Sequence, residues 1–405
     1  MIEITRTSYL ETLKRYIKSP AAVVVTGLRR VGKSVLLRQL CDDLRQDGGV
    51  VYIDKESLEY DHIKTAADLV EYCNDAVRKG EKRYLVIDEI QQIDDWERAI
   101  ASFVGEEHTF PVISGSNASL LSGDLATRIA GRYIRLSVFP LSLYEFRELF
   151  TAIHVTREEP KEMFRRYLQY GGLRGMLDTD LSEDVVRQMQ ADICNTIAVR
   201  DIISRYRIRD VTLFESILTF AMDNIGNLLS AKRISDFIKK DQRSLSVDSV
   251  VNYLRYMEDA FLLQGVQRFD IKGKRHLEIS PKYYLGDIGL RNGFIGYHDR
   301  DIGGILENCV YLELCRRGFM VSVGTMSGRE IDFIAQSDKT TIYVQVAYLL
   351  ESPETIEREL TSLRLVGDAY PKVLLSMDEF QPRDFEGIRH ISLLDFLLGA
   401  PLPGE

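Results

Sequence analysis

Eight residues near the amino terminus, Gly27-Leu28-Arg29-Arg30-Val31-Gly32-Lys33-Ser34, constrain this chain more than any other stretch. They match G-x-x-x-x-G-K-[ST] and lie between an apolar run, AAVVVT, and an amphipathic one, KSVLLRQL, the strand-to-helix context in which that spacing has a function. Glycines let backbone N–H groups close around phosphate oxygens, and the following helix adds the positive end of its dipole. Gly27, Arg30 and Gly32 therefore form the expected phosphate cradle. Lys33 is expected to reach the β- and γ-phosphates, and Ser34 to place its hydroxyl on Mg²⁺, so ATP and Mg²⁺ are the expected cofactors.

About fifty residues on, the apolar strand Tyr84-Leu85-Val86-Ile87 ends in Asp88-Glu89, which places two carboxylates at the carboxyl edge of a parallel sheet, where the phosphates would lie. Asp88 is the expected second Mg²⁺ group and Glu89 the general base for an attacking water. A third strand, PVISGSN, ends in small polar residues. Asn117, with Ser116 as second choice, is the expected sensor of the γ-phosphate; either would serve equally as a helix cap. Arg128 and Arg132, four apart in ATRIAGRY, are read as one helical face from which an arginine reaches a neighbouring subunit's nucleotide; a solvated or salt-bridged surface arginine is the plainer alternative.

Strand and helix patterns alternate from residue 20 to 140, which calls for a parallel sheet covered on both faces. Residues 141–210 lose the strand signal and read as a helical lid or linker. Residues 211–290 give three helix-length segments and then a basic hairpin, VQRFDIKGKRHLEIS, an order that suggests a winged helix. Residues 291–405 return to mixed strands and helices, a fourth domain. The length of 405 residues accommodates several such cores. Five cysteines without a C-x-x-C pair, and six scattered histidines, support neither a disulfide framework nor a zinc site. No apolar run approaches a membrane span, so a cytoplasmic protein with no membrane partner is expected.

The whole set resembles a known group, bacterial and archaeal AAA-type ATPases with a carboxyl-terminal nuclease-like domain of unknown function. GLRRVGKS, LVIDEIQ, ISGSNASLL and the stretch from Ala130 to Phe146 carry the first part of the resemblance. Arg200 to Ile202, KYYLGDIGL from Lys282, ENCVYLEL from Glu307 and EIDF from Glu330 carry the second. The fold it implies is α/β: a P-loop NTPase parallel sheet with a helical lid, a winged-helix module and a restriction-endonuclease-like α/β domain. In nucleases of that last fold, carboxylates on neighbouring strands bind Mg²⁺ and a nearby lysine stabilises the attacking hydroxide. The resemblance assigns Glu307, Asp332 and Gln345 as the remnant of that set. The lysine position two residues after Gln345 is Ala347, so no nuclease activity is expected. A second departure is Gly171-Gly172-Leu173-Arg174, where the group has Gly-Gly-x-Pro.

A net charge of −9 excludes a whole-chain electrostatic grip on nucleic acid, so any contact must be local. Five basic residues stand against two acidic ones between Ser230 and Arg243. Lys232, Arg233, Lys239, Lys240 and Arg243 there, with Lys272 and Lys274 in the hairpin turn, are the candidate DNA contacts. Two functions compete: an oligomeric Mg²⁺-dependent ATPase acting on or with DNA, and a nucleotide-controlled switch that binds a protein partner through its carboxyl-terminal domain.

Overall fold

A computed structural model describes residues 3–78, 80–121, 129, 131–156, 158–178, 182–239, 246–298, 301–378 and 382–405. They gather into two compact units, residues 1–139 with 259–261 and residues 140–258 with 262–405.

In the first unit, β1 (Ala22–Thr26), β2 (Gly49–Asp54), β3 (Arg83–Asp88), β4 (Thr109–Gly115) and β5 (Tyr133–Ser137) form a five-stranded sheet ordered β2-β3-β4-β1-β5, with every neighbouring pair parallel. β1 and β3 bury every residue, as strands covered on both faces must, which is why both read as continuous apolar runs. Helices α1 (Thr7–Tyr16), α2 (Lys33–Leu44), α3 (Ala66–Ala76) and α4 (Trp96–Val104) accompany them. Thr65 and Asp68 form a capping box that starts α3. Leu69 of α3 and Ile100 and Phe103 of α4 pack with Ile53, Leu85, Ile87 and Ile113 of the strands in one core. Burial of each such side chain contributes about 1.5–3 kcal/mol.

The parallel arrangement brings Thr26, Asp88 and Gly115 to one edge of this sheet, the edge that carries the site. Arg132 lies at the other end. It precedes β5 in a turn rather than on a helix, its backbone carbonyl accepting from Ala22 N (3.1 Å) and its Nε donating to Ile129 O (3.3 Å). The shared helical face expected for Arg128 and Arg132 is therefore not formed at Arg132, and Arg128 lies outside the described residues.

The second unit begins with α5 (Leu143–His154), opened by a Ser142/Glu145 capping box, and α6 (Pro160–Tyr170), which ends at Gly171 with φ 75°. A side-chain carbon at Gly171 would stand 2.3 Å from Asp287 Oδ1 and 2.7 Å from Gly289 N, so the residue combines a left-handed turn with a close approach. Then come α7 (Glu183–Thr196), α8 (Val211–Asp223), α9 (Ala231–Lys239) and α10 (Val247–Asp259). The hairpin of β6 (Leu263–Asp270) and β7 (Arg275–Leu285) follows, its turn held by Gly273 N donating to Asp270 Oδ1 at 3.0 Å. Beyond it are α11 (Ile288–Ile295), α12 (Ile302–Arg316), β8 (Met320–Met326), β9 (Arg329–Gln336), β10 (Thr341–Val346), α13 (Pro353–Arg364), β11 (Lys372–Ser376), β12 (Asp384–Phe385), β13 (Ile388–Ser392) and α14 (Leu393–Leu397).

The three helices and the hairpin occur in the order a winged helix requires, but the hairpin does not stand apart. β6 pairs in parallel with β8, Arg268–Asp270 against Val323–Thr325, and the result is one mixed sheet ordered β12-β13-β11-β10-β9-β8-β6-β7. The boundary expected between residues 290 and 291 therefore runs through the elements of a single sheet. The cause is a pairing between strands more than fifty residues apart, which local pattern does not carry.

Candidate functional site

The loop from Gly27 to Lys33 turns on unusual backbone angles, with φ 154° at Gly27, 67° at Arg30 and 95° at Gly32. At Gly27 a side-chain carbon would lie 2.2 Å from the Val138 carbonyl oxygen, and only glycine fits so close an approach. Gly32 caps α2 in the left-handed region and passes the chain straight into Lys33. The Lys33 side chain is buried, its Nζ donating to Gly27 O (3.0 Å) and Leu28 O (3.2 Å) and standing 3.8 Å from Glu89 Oε1. Arg30 is exposed, while its neighbour Arg29 pairs with Glu56 at 2.6 Å.

Across the edge, Asp88 is fully buried, with Oδ1 accepting from the Ser114 hydroxyl. Its other oxygen, Oδ2, is buried and accepts no hydrogen bond among the described residues. Burial pushes the Asp88 carboxyl above the ordinary carboxylate range, and the hydroxyls of Ser114 and Ser34 pull it partway back. An orphaned, buried carboxylate oxygen beside a serine hydroxyl has the donor chemistry a hard divalent cation takes, so Asp88 and Ser34 fit Mg²⁺.

Glu89 follows in a left-handed conformation, φ 54°, which turns its side chain away from the strand. Its Oε2 accepts from Gln91 Nε2 and from Ser116 Oγ (3.2 Å), and its backbone N–H donates to Ser114 Oγ at 3.2 Å. Ser114 thus joins both residues, donating to the Asp88 carboxylate and accepting from the Glu89 backbone N–H. Of the two sensor candidates, Ser116 is the one bonded to Glu89. Asn117 is also buried and sits one residue before a short 3₁₀ turn, Ala118–Leu121. Sequence reasoning missed Ser114 and Gln91; the available signal was a serine inside an otherwise apolar strand.

A second group of charges lies in the second unit. Lys282 of β7 is 3% exposed, and its Nζ stands 2.6 Å from Glu330 Oε1, 3.0 Å from Glu307 Oε2 and 3.7 Å from Asp332 Oδ1. Tyr284 Oη also donates to Glu307 Oε2 (3.1 Å), and Val346 N donates to Asp332 Oδ2 (2.9 Å). Burial, and then the Glu307 charge, push the Asp332 carboxyl well above its ordinary value. Burial would push Lys282 down, but Glu307, Asp332 and Glu330 together hold it above the ordinary lysine range.

The structure thus brings Glu307 and Asp332 together as expected, and Gln345 less so. Its amide nitrogen donates to Glu359 Oε2 (3.1 Å) and its oxygen accepts from Asp332 N at 3.4 Å. A lysine is present after all, supplied by β7 rather than by the position of Ala347. Among the described residues no group of three or more His, Cys, Asp or Glu is arranged to hold a metal ion.

Of the candidate DNA contacts, Lys232 and Arg233 on α9 and Lys272 and Lys274 in the hairpin turn are exposed. Lys240, Arg243 and the side chain of Lys239 lie outside the described residues. No described helix is long and apolar enough to cross a membrane.

Residues 19–147 match the model of an AAA domain, and residues 161–301 that of a domain of unknown function. An uncharacterized protein of Haemophilus influenzae is 35% identical over 400 residues, 98% of each chain. An uncharacterized protein of Methanocaldococcus jannaschii is 27% identical over 83% of this chain and 76% of its own length. Among solved structures, the Walker-type ATPase of Pyrococcus abyssi superposes with a TM-score of 0.53 at 14% identity, covering 72% of this chain and 96% of that one.

Proposed function

The chain belongs to one family with its uncharacterized Haemophilus influenzae relative and carries an AAA domain over residues 19–147, and we propose that it is a Mg²⁺-dependent ATP hydrolase that works as a homo-oligomer on or with DNA. The observation that carries the hydrolytic part is the pairing of Asp88, with a buried and unsatisfied carboxylate oxygen, with Glu89, whose carboxylate is held by Gln91 and Ser116 within 3.8 Å of Lys33.

The phosphate chain lies along the loop, its charge met by Lys33, by backbone N–H groups of the Gly27–Gly32 turn and by the amino terminus of α2. Asp88 and Ser34 hold Mg²⁺, which when bound offsets the charge that develops on the phosphates. Glu89 accepts the proton of the attacking water through one carboxylate oxygen, while Ser116 and Gln91 fix the orientation of the other. Asn117, buried two residues beyond β4, is the candidate γ-phosphate sensor.

The DNA part of the reading rests on Lys232, Arg233, Lys272 and Lys274, exposed cations on a chain of net charge −9. The test of the whole is ATP turnover by the full chain with and without DNA, beside nucleotide binding. Turnover abolished in Glu89→Gln with binding retained supports hydrolysis. Turnover indifferent to DNA removes the nucleic-acid part and leaves a nucleotide-controlled assembly protein.

A further inference from the structure

The acid cluster in the second unit contrasts with the one at Asp88. There a buried oxygen has no hydrogen-bond partner among the described residues; here each carboxylate of the cluster already has a hydrogen-bond or ion-pair partner. Glu307 Oε2 accepts from both Lys282 and Tyr284, Glu330 Oε1 from Lys282, and Asp332 Oδ2 from Val346 N, with Asp332 Oδ1 3.7 Å from the same ammonium. Three carboxylates converge on one nitrogen, and an ammonium has three N–H groups to offer them.

We infer that the Lys282 ammonium occupies the seat a divalent cation would take among Glu307, Glu330 and Asp332, so that the cluster carries its own cation, binds no divalent metal and does not cleave phosphodiesters. Two features keep the lysine in place. Its side chain is buried, and its backbone is fixed by pairing with Val266 of β6 and by a bridge to Leu228. Its withdrawal would also leave three carboxylates facing one another, Asp332 buried and the other two partly so, with no other cation in the cluster to neutralise them.

Gln345, the group that would have to complete a metal set from β10, is committed elsewhere, its amide bonded to Glu359 and to the backbone of Asp332. Inactivity at this site therefore follows from where the lysine is, and not from its loss at Ala347. This inference stands whether or not the chain hydrolyses ATP.

The test is Mn²⁺ binding by the full-length chain, measured by equilibrium dialysis on the wild type, Asp332→Asn, Lys282→Met and the double variant. Wild type and Asp332→Asn are expected to bind equal numbers of Mn²⁺ per chain, which cancels any ion held at Asp88. Lys282→Met is expected to gain one Mn²⁺, lost again in the double variant. An additional ion in wild type over Asp332→Asn overturns the inference, and so does a folded Lys282→Met that gains none. Should Lys282→Met fail to fold, the wild-type arm still decides, together with incubation of the wild type with duplex and single-stranded DNA in Mn²⁺. Cleavage that disappears in Asp332→Asn overturns the inference; no cleavage and no additional ion uphold it.

Discussion

Lys33 and Glu89 lie 3.8 Å apart yet are expected to fail differently when altered, because in the proposed function one meets phosphate charge and the other meets water. Lys33→Ala is expected to remove nucleotide binding, whereas Glu89→Gln keeps the shape and hydrogen bonding of the side chain and loses the base. Turnover in Glu89→Gln should fall by roughly 10²–10⁴ with ATP affinity retained. Fluorescent-nucleotide titration beside a phosphate-release assay separates the two, and unchanged turnover in Glu89→Gln would remove its assignment. These two residues were readable in the sequence because each belongs to a motif within one strand-to-helix or strand-to-turn step. Ser114 was not, since its bonds to Asp88 and Glu89 cross between strands 26 and 25 residues apart. A purely structural charge was equally hidden. Arg83, fully buried at the start of β3, donates to Glu106 (2.6 Å), Asn74 (2.9 Å), Thr109 (3.1 Å) and the Val77 carbonyl (3.1 Å). Glu106→Ala strands that guanidinium, and because Glu106 is partly exposed the low end of the range applies, about 3 kcal/mol. Urea unfolding measures it, and a loss under about 1 kcal/mol would show that the remaining acceptors suffice.

Between elements, Asp287 is the residue that ties α11 to the turn after α6. Its Oδ1 accepts from Gly289 N (2.9 Å) at the start of α11 and its Oδ2 from Gly172 N (2.7 Å). Burial raises its pKa from 3.8 to about 6, although the N–H groups of Gly172, Gly289 and Leu290 oppose the rise. The folded state therefore holds this proton more tightly than the unfolded state. Between about pH 4 and 6 the unfolded chain has released it while the folded chain keeps it, so stability falls as pH rises through that window. The gap between 3.8 and about 6 corresponds to roughly 3 kcal/mol. Asp287→Asn cannot ionise, so the wild-type melting temperature should drop relative to that variant from pH 4 to 6.5. Parallel curves would show that Asp287 does not titrate there. The segment KYYLGDIGL was legible as a motif. That its first lysine enters an acid cluster and its aspartate holds Gly172, 115 residues earlier, was not, because both depend on how β7 is placed in the sheet. The hairpin shows the same limit. Its turn at Lys272-Gly273-Lys274 is local chemistry, whereas its parallel pairing with β8 is a long-range event that no periodicity records.

For the whole molecule, assembly is the property on which the arginine expectation depends. Arg132 accepts at its carbonyl from Ala22 N, at the amino-terminal end of β1, whereas the phosphate loop leaves the carboxyl-terminal end of that strand after Thr26. Four residue steps of extended strand put roughly 13 Å of sheet between those levels. Arg132 therefore stands at the edge of the sheet away from its own loop, and any action on nucleotide falls on a neighbouring copy's. If it acts so, Arg132→Ala should lose roughly 10³ in turnover while binding ATP normally, since the charge it supplies is needed in the transition state and not in the ground state. Mixing it with Glu89→Gln chains then recovers activity, because sites form that pair an intact base with an intact arginine from the neighbour. Two measurements decide the matter: phosphate release across a mixing series, and mass in solution with ATP bound. A bell-shaped recovery in an ATP-dependent oligomer supports an arginine acting between copies. Full activity of Arg132→Ala, or wild-type turnover that is linear in concentration for a strictly monomeric chain, removes Arg132 from the mechanism and leaves it a polar group on the surface.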